Sequence, residues 1–211
     1  MKIQSFAVAD PLASLRSALA SCAAGLPSVK IGIVDGLPDL THPALKDAPI
    51  EVLSAMIPPG SAEADPHGTS ICSLIFGRDP VRGLAPGCSG LVLPLFFRGP
   101  NPEQSRPVSQ LDLARAIAFG LEAGVCVFNI SAGQKSGTTE TESHLSQVIQ
   151  QSVERRVLLV AAAGNDGCAC IHLPAGVEFV FVGWCARDGR KAFGREQLGR
   201  GLPAKRAVGT G

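Results

Sequence analysis

The chain has 211 residues, 45% of them hydrophobic and 18% charged, enough for one domain with a sizeable core and too apolar for a disordered chain. Its formal net charge of +1 supplies no long-range field to recruit nucleic acid or an anionic membrane surface. Residues 1–10 read as too polar for a secretion signal, and no window approaches the ~20 apolar residues of a membrane span. The cysteines number 7 and lack a framework spacing, so reduced thiols and a cytoplasmic setting are expected.

A first helix is expected from Asp10-Pro11, with Asp10 as N-cap and Pro11 at the first helical position, through Leu12, Leu15, Leu19 and Cys22 to Gly25. Val29 to Val34 is a β-branched run ending at Asp35-Gly36. A helix starting near Gly68 would carry Ile71, Leu74 and Ile75 on one face before Gly77. Leu91 to Phe96 is a buried strand whose Pro94 argues for a bulge or for the end of regular pairing. Ser109-Gln110-Leu111-Asp112 resembles a capping box, and Ala114, Ile117, Ala118 and Leu121 follow as an apolar stripe. Val125 to Ile130 is a strand, Thr139 to Arg155 a helix, and Val157 to Val160 and Phe179 to Val182 are the last strands. Apolar strands alternating with amphipathic helices predict an α/β fold, a mostly parallel sheet with helices on both faces. In such sheets the working residues gather at the carboxyl ends of the strands, here Asp35, Asn129 to Gly133, and Gly164-Asn165.

Each of these places has an ordinary reading beside a chemical one. Asp35 after its strand can orient a histidine, or simply form an Asp-Gly turn. His67-Gly68-Thr69-Ser70 opens a helix, where His67 is either a fixed base or a solvent-facing residue; the glycine lets another chain approach. Ser131, Ala132 and Gly133 can offer a backbone edge to an extended peptide, or be a plain loop exit. Asn165, among glycines after three alanines, can donate to a developing oxyanion or belong to an Asn-Asp-Gly turn.

Taken in order, these segments and Gly83-Leu84-Ala85-Pro86 resemble the subtilisin-like serine protease family from about Lys30 to Gly167. Asp35-Gly36-x-x-Asp39-Leu40-x-His42-Pro43, Leu91 to Phe96, Asn129 to Gln134 and Asn165-Asp166-Gly167-Cys168-x-Cys170 are similar to the branch that matures ribosomally made peptides, as in cyanobactin clusters. The resemblance implies a subtilisin-like fold and a peptide or protein substrate, with no cofactor. It implies Asp35 as the triad acid, His67 as the general base, Asn165 as the side-chain oxyanion donor, and Ser131 to Gly133 along the substrate.

The family's serine lies in a Gly-Thr-Ser-x-Ala segment opening a long helix, and no such segment follows Asn165. The peptidase domain is therefore expected over residues 1–186, incomplete at its C-terminal side, followed at 187–211 by a basic, glycine-rich, poorly ordered tail. Ser70 and Ser131 lack the sharp turn that presents a nucleophile, so no hydrolysis is expected; the alternative is a non-catalytic peptide-binding partner. A bare core would favour oligomers. Cys168-Ala169-Cys170 with His172 is spaced too tightly for a zinc pair, so no metal site is expected and the thiols read as buried or reduced. Asp39 and His42 read as first-turn helix charges, with the shaping of a substrate subsite as the alternative. Asp35-Gly36-Leu37-Pro38 is no phosphate loop, which excludes a dinucleotide-binding reading.

Overall fold

In the computed structural model, residues 24–59, 63–79, 82–97, 107–165 and 170–183 are described. The expected helix after Asp10 and the tail from 187 onward lie outside them. The order is β1 (Lys30–Gly36), β2 (Ile50–Val52), α1 (Pro66–Phe76), β3 (Ser89–Phe96), α2 (Gln110–Glu122), β4 (Val127–Ile130), β5 (Gln134–Ser136), α3 (Ser143–Glu154), β6 (Leu158–Ala162), β7 (Ile171–Leu173) and β8 (Val180–Gly183). Six strands form one parallel sheet in the order β2-β3-β1-β4-β6-β8, and β5 with β7 forms a two-stranded antiparallel ribbon.

The parallel α/β architecture expected from the sequence is the one observed. The three-residue strands β2, β5 and β7 went unread, because a run that short has no periodicity to detect. Pro94 stands where expected: β1 and β3 pair Asp35 with Pro94, then Gly36 with Phe96, so the register slips at the proline. The Ser109 capping box is complete, since Asp112 N–H donates to Ser109 Oγ at 3.1 Å and Ser109 N–H to Asp112 Oδ2 at 3.1 Å. The expected Thr139–Arg155 helix begins at Ser143 instead. Its N-terminus is held from a neighbour, with Glu142 N–H donating to the Gln110 side chain at 2.8 Å, a tertiary contact invisible in local sequence.

Helix α1 departs most from expectation. It starts at Pro66, and its fully buried residues are Gly68, Cys72 and Phe76; of the expected face, Ile71 and Ile75 are partly buried against the same cluster, whereas Leu74 is 57% exposed. The reason is backbone proximity: Gly68 brings the helix onto the Gly36 carbonyl, and the i+4 row from that point meets the sheet. Cys72 and Phe76 join Ile33 and Val92 in one cluster. On the other face, α2 and α3 cover Val34, Leu91, Leu93, Phe128, Ile130, Leu159 and Ala161. No described helix is long and apolar enough to cross a membrane.

Candidate active site

Side-chain parity along β1 decides where Asp35 points. Ile31 and Ile33 face α1, so Asp35 faces it too, at the carboxyl end of the strand and fully buried. The N-terminus of α1 sits opposite. Asp65 is its N-cap, accepting the His67 N–H at 2.6 Å, and Pro66 occupies the first turn, where its missing N–H costs nothing. Asp65 N–H donates in turn to Leu37 O at 2.6 Å, which ties the cap to the loop after β1.

Two glycines allow this close approach. A Cβ at Gly68 would overlap the Gly36 carbonyl oxygen, and a Cβ at Gly36 would lie 2.5 Å from Asp65 Cβ. The expected role of Gly68, admitting a second chain beside the histidine, is thus met by β1's own exit loop. The result is a direct pair. His67 Nδ1 lies 2.8 Å from Asp35 Oδ1 and 3.1 Å from Oδ2, and Gly36 N–H donates to Oδ1 at 2.6 Å. If Nδ1 donates to the carboxylate, a neutral ring carries its lone pair on Nε2, and the side chain is 60% exposed. A buried acceptor fixes the tautomer while the free nitrogen faces solvent, the arrangement of an oriented general base.

The other expected residues stand on the same rim, because a parallel sheet brings all carboxyl ends to one edge. Ser131, Ala132 and Gly133 join β4 to β5, with Ser131 N–H donating to Val34 O at 2.9 Å, Ala132 buried and Gly133 exposed. Asn129 Nδ2 donates to Ser131 Oγ at 3.0 Å, and Ser70 Oγ donates back to Pro66 O at 2.8 Å, so both hydroxyls have partners of their own. Asn165 follows β6 and is exposed, next to Gly164, whose φ of +90° lies in the region that favours glycine.

Burial and then the Asp35 charge push the Cys72 thiol up to about 12, so it packs as a neutral side chain. Asp39 does not meet the expected helix role. It accepts from the Thr41 hydroxyl at 2.6 Å and the Thr41 N–H at 2.9 Å, bonds that hold its carboxyl below the usual value. His42 caps the short 3-10 helix Pro43–Leu45 by accepting from Ala44 N–H at 3.3 Å. The reduced-thiol reading fails at Cys170, which is disulfide-bonded, whereas Cys72, Cys88 and Cys126 are free. A sulfur in a disulfide has no thiolate to give a metal. Among the described residues no group of His, Cys, Asp and Glu is arranged to hold a metal ion.

A buried acid thus stands 2.8 Å from an exposed histidine on the carboxyl rim of a parallel sheet. Residues 27–187 match the subtilase family. The chain belongs to the subtilase family. It is 34% identical over 134 residues to Mycosin-1 of Mycobacterium tuberculosis, covering 55% of this chain and 30% of that protein. Among solved structures, the prenylagaramide maturation protease PagA superposes with a TM-score of 0.69 at 39% identity, over 79% of this chain and 56% of that one. The patellamide maturation protease PatA gives 0.62 at 36% identity, over 75% and 56%. The PatG macrocyclase in complex with peptide, at 22% identity and 0.65, shares the fold. The chain therefore spans 30% of Mycosin-1 and 56% of PagA.

Proposed function

We propose that this chain carries the acid–base side of a serine endopeptidase site that acts on an extended peptide, such as a ribosomally made precursor. The observation that carries the reading is the 2.8 Å contact between buried Asp35 and the exposed His67. In this chemistry a serine hydroxyl attacks the scissile carbonyl, and His67 Nε2 takes its proton. Asp35 stabilises the imidazolium, and the Asn165 amide donates to the oxyanion, an interaction worth about 3–4 kcal/mol where it has been tested. The peptide lies along Ser131, Ala132 and Gly133. Likeness to two proteases named for maturing prenylagaramide and patellamide supports a peptide substrate.

No Gly-Thr-Ser-x-Ala segment follows Asn165 in these 211 residues, so the nucleophile in this proposal comes from outside them. A fluorophosphonate should leave the 211-residue chain unlabelled, and peptides and esters should stay uncleaved. Stoichiometric labelling mapped to Ser70 or Ser131 would overturn this. The engagement of both hydroxyls also favours a second reading, a non-catalytic peptide-binding partner. Supplying the serine-bearing remainder of a related protease in trans separates the two, since only the first reading predicts that turnover appears.

A further inference from the structure

We propose that the cavity at the C-terminal end of α1 is a second binding site, which takes an acidic side chain of a peptide. The cavity measures about 340 Å³ and is lined by Gly77, Arg78, Asp79, Arg82 and Pro86. That volume falls within the ~300–1,000 Å³ range of ligand sites. The cavity lies about 15 Å along the helix from His67, and no residue of the candidate active site lines it. The proposal therefore does not depend on the peptidase reading.

Backbone bonds fix the frame that carries the two arginines. Arg78 N–H donates to Ala44 O at 2.8 Å, and Gly83 N–H, next to Arg82, donates to Gly77 O at 2.8 Å. Leu84 N–H and Ala85 N–H donate to Leu74 O at 2.9 Å and to Ile75 O at 2.7 Å. Only glycine fits at this crossing, since a Cβ on Gly83 would lie 2.5 Å from Ile75 O. The carbonyls at the helix end thus accept from backbone donors, and the guanidinium groups are not needed as caps. Arg78 uses one donor, Nη2, to reach Pro86 O at 3.3 Å. Among the described residues, Arg82 and Asp79 form no hydrogen bond or ion pair, with Arg78 or with each other.

Two guanidinium groups against one carboxylate leave the lining with an excess of positive charge. A guanidinium fork matches the two oxygens of a carboxylate, and the opposite charges strengthen both bonds. An apolar side chain would desolvate the arginines and replace no bond. Asp79 narrows the choice further. It accepts from the backbone N–H that accompanies an Asp or Glu side chain, whereas a fully ionised phosphate offers it no proton and is repelled.

The test uses the 211-residue chain at low salt and pH 8. The probes are an acetylated pentapeptide amide with Glu at its centre and glycine elsewhere, its Gln counterpart, and inorganic phosphate. NMR titrations follow the Gly77 and Gly83 amides and the Nε–H groups of Arg78 and Arg82. The Glu peptide should shift these signals and bind on the order of fivefold more tightly than the Gln peptide, the scale of an exposed charge pair. Arg82→Gln should remove that ratio and Arg82→Lys should keep part of it. Asp79→Asn should strengthen phosphate binding relative to the Glu peptide. An unchanged His67 Nδ1 signal checks that each variant is folded. Equal affinity for the Glu and Gln peptides, or a preference that survives in folded Arg82→Gln, overturns the site. Phosphate that binds the unmutated chain as tightly as the Glu peptide does overturns the peptide assignment.

Discussion

Strands β3 and β6 lie on opposite sides of β1 and meet different surroundings with the same alternation of side chains. In β3, Val92 is buried under α1 while Leu91 and Leu93 are buried under α2, so both faces are covered. In β6, Leu159 and Ala161 are 1% exposed under α2 and α3, but Leu158 on the other face is 38% exposed. Register carries the contrast across the sheet: Leu158 aligns with Val127, and Phe181 of β8, aligned with Val160, is 63% exposed. Parallel sheets are normally covered on both faces, but among the described residues the Leu158 and Phe181 face of β6 and β8 is exposed. The candidate site straddles this divide. Asp35 and His67 come from the doubly covered side, and Ser131 to Gly133 and Asn165 follow strands of the singly covered one.

The sharpest test of the contrast is a pair of substitutions. Phe76→Ala empties a fully buried position and should cost about 3–5 kcal/mol, whereas Phe181→Lys should change stability by no more than ~0.5 kcal/mol. Denaturant melts of both variants measure this, and equal losses would show that the β8 face is covered after all. The wild type should also self-associate through that face and bind an apolar dye, and Phe181→Lys should weaken both. Sedimentation of a dye-silent monomer would remove the idea.

Gly68→Ala comes next. Its methyl would overlap the Gly36 carbonyl, so a loss of about 1–3 kcal/mol is expected, together with loss of the downfield Nδ1 proton of His67 in NMR spectra. An unchanged melt and an unchanged His67 signal would mean that the two glycines do not set the pair.

A smaller effect is a pH dependence from Cys72. Its pKa rises from 9.0 to about 12 on folding, so between those values the unfolded chain has lost a proton that the native chain keeps. Stability from this group is therefore complete below pH 9.0 and falls as pH rises toward about 12, by at most ~1.4 kcal/mol per unit. Comparing alkaline melts of the wild type and Cys72→Ala checks the sign. At pH 8, iodoacetamide should modify exposed Cys126 well before Cys72, and comparable rates would show that the covered side opens readily.

Smallest is Ser109→Ala, which removes the α2 cap and should cost about 1 kcal/mol in a thermal melt. No measurable change would show that the α2 end is held by packing alone.

The sequence by itself determined the alternation of strands and helices, the slip at Pro94, the Ser109 cap and the order of Asp35, His67, Ser131 to Gly133 and Asn165. All of these are written in local chemistry: ring constraints, short-range caps, apolar runs and the loops that follow them. Only the tertiary structure decided which face of α1 is buried, because that depends on Gly68 resting on a carbonyl from β1. It alone brought Asp35 to His67 across 32 residues of chain, and the imidazole of His172 to Gly133 and Gly164. The coverage of one face of the sheet and the exposure of the other were equally out of reach. A strand reads as apolar on both sides whether or not anything lies against it, and the presence of a neighbour is a property of packing.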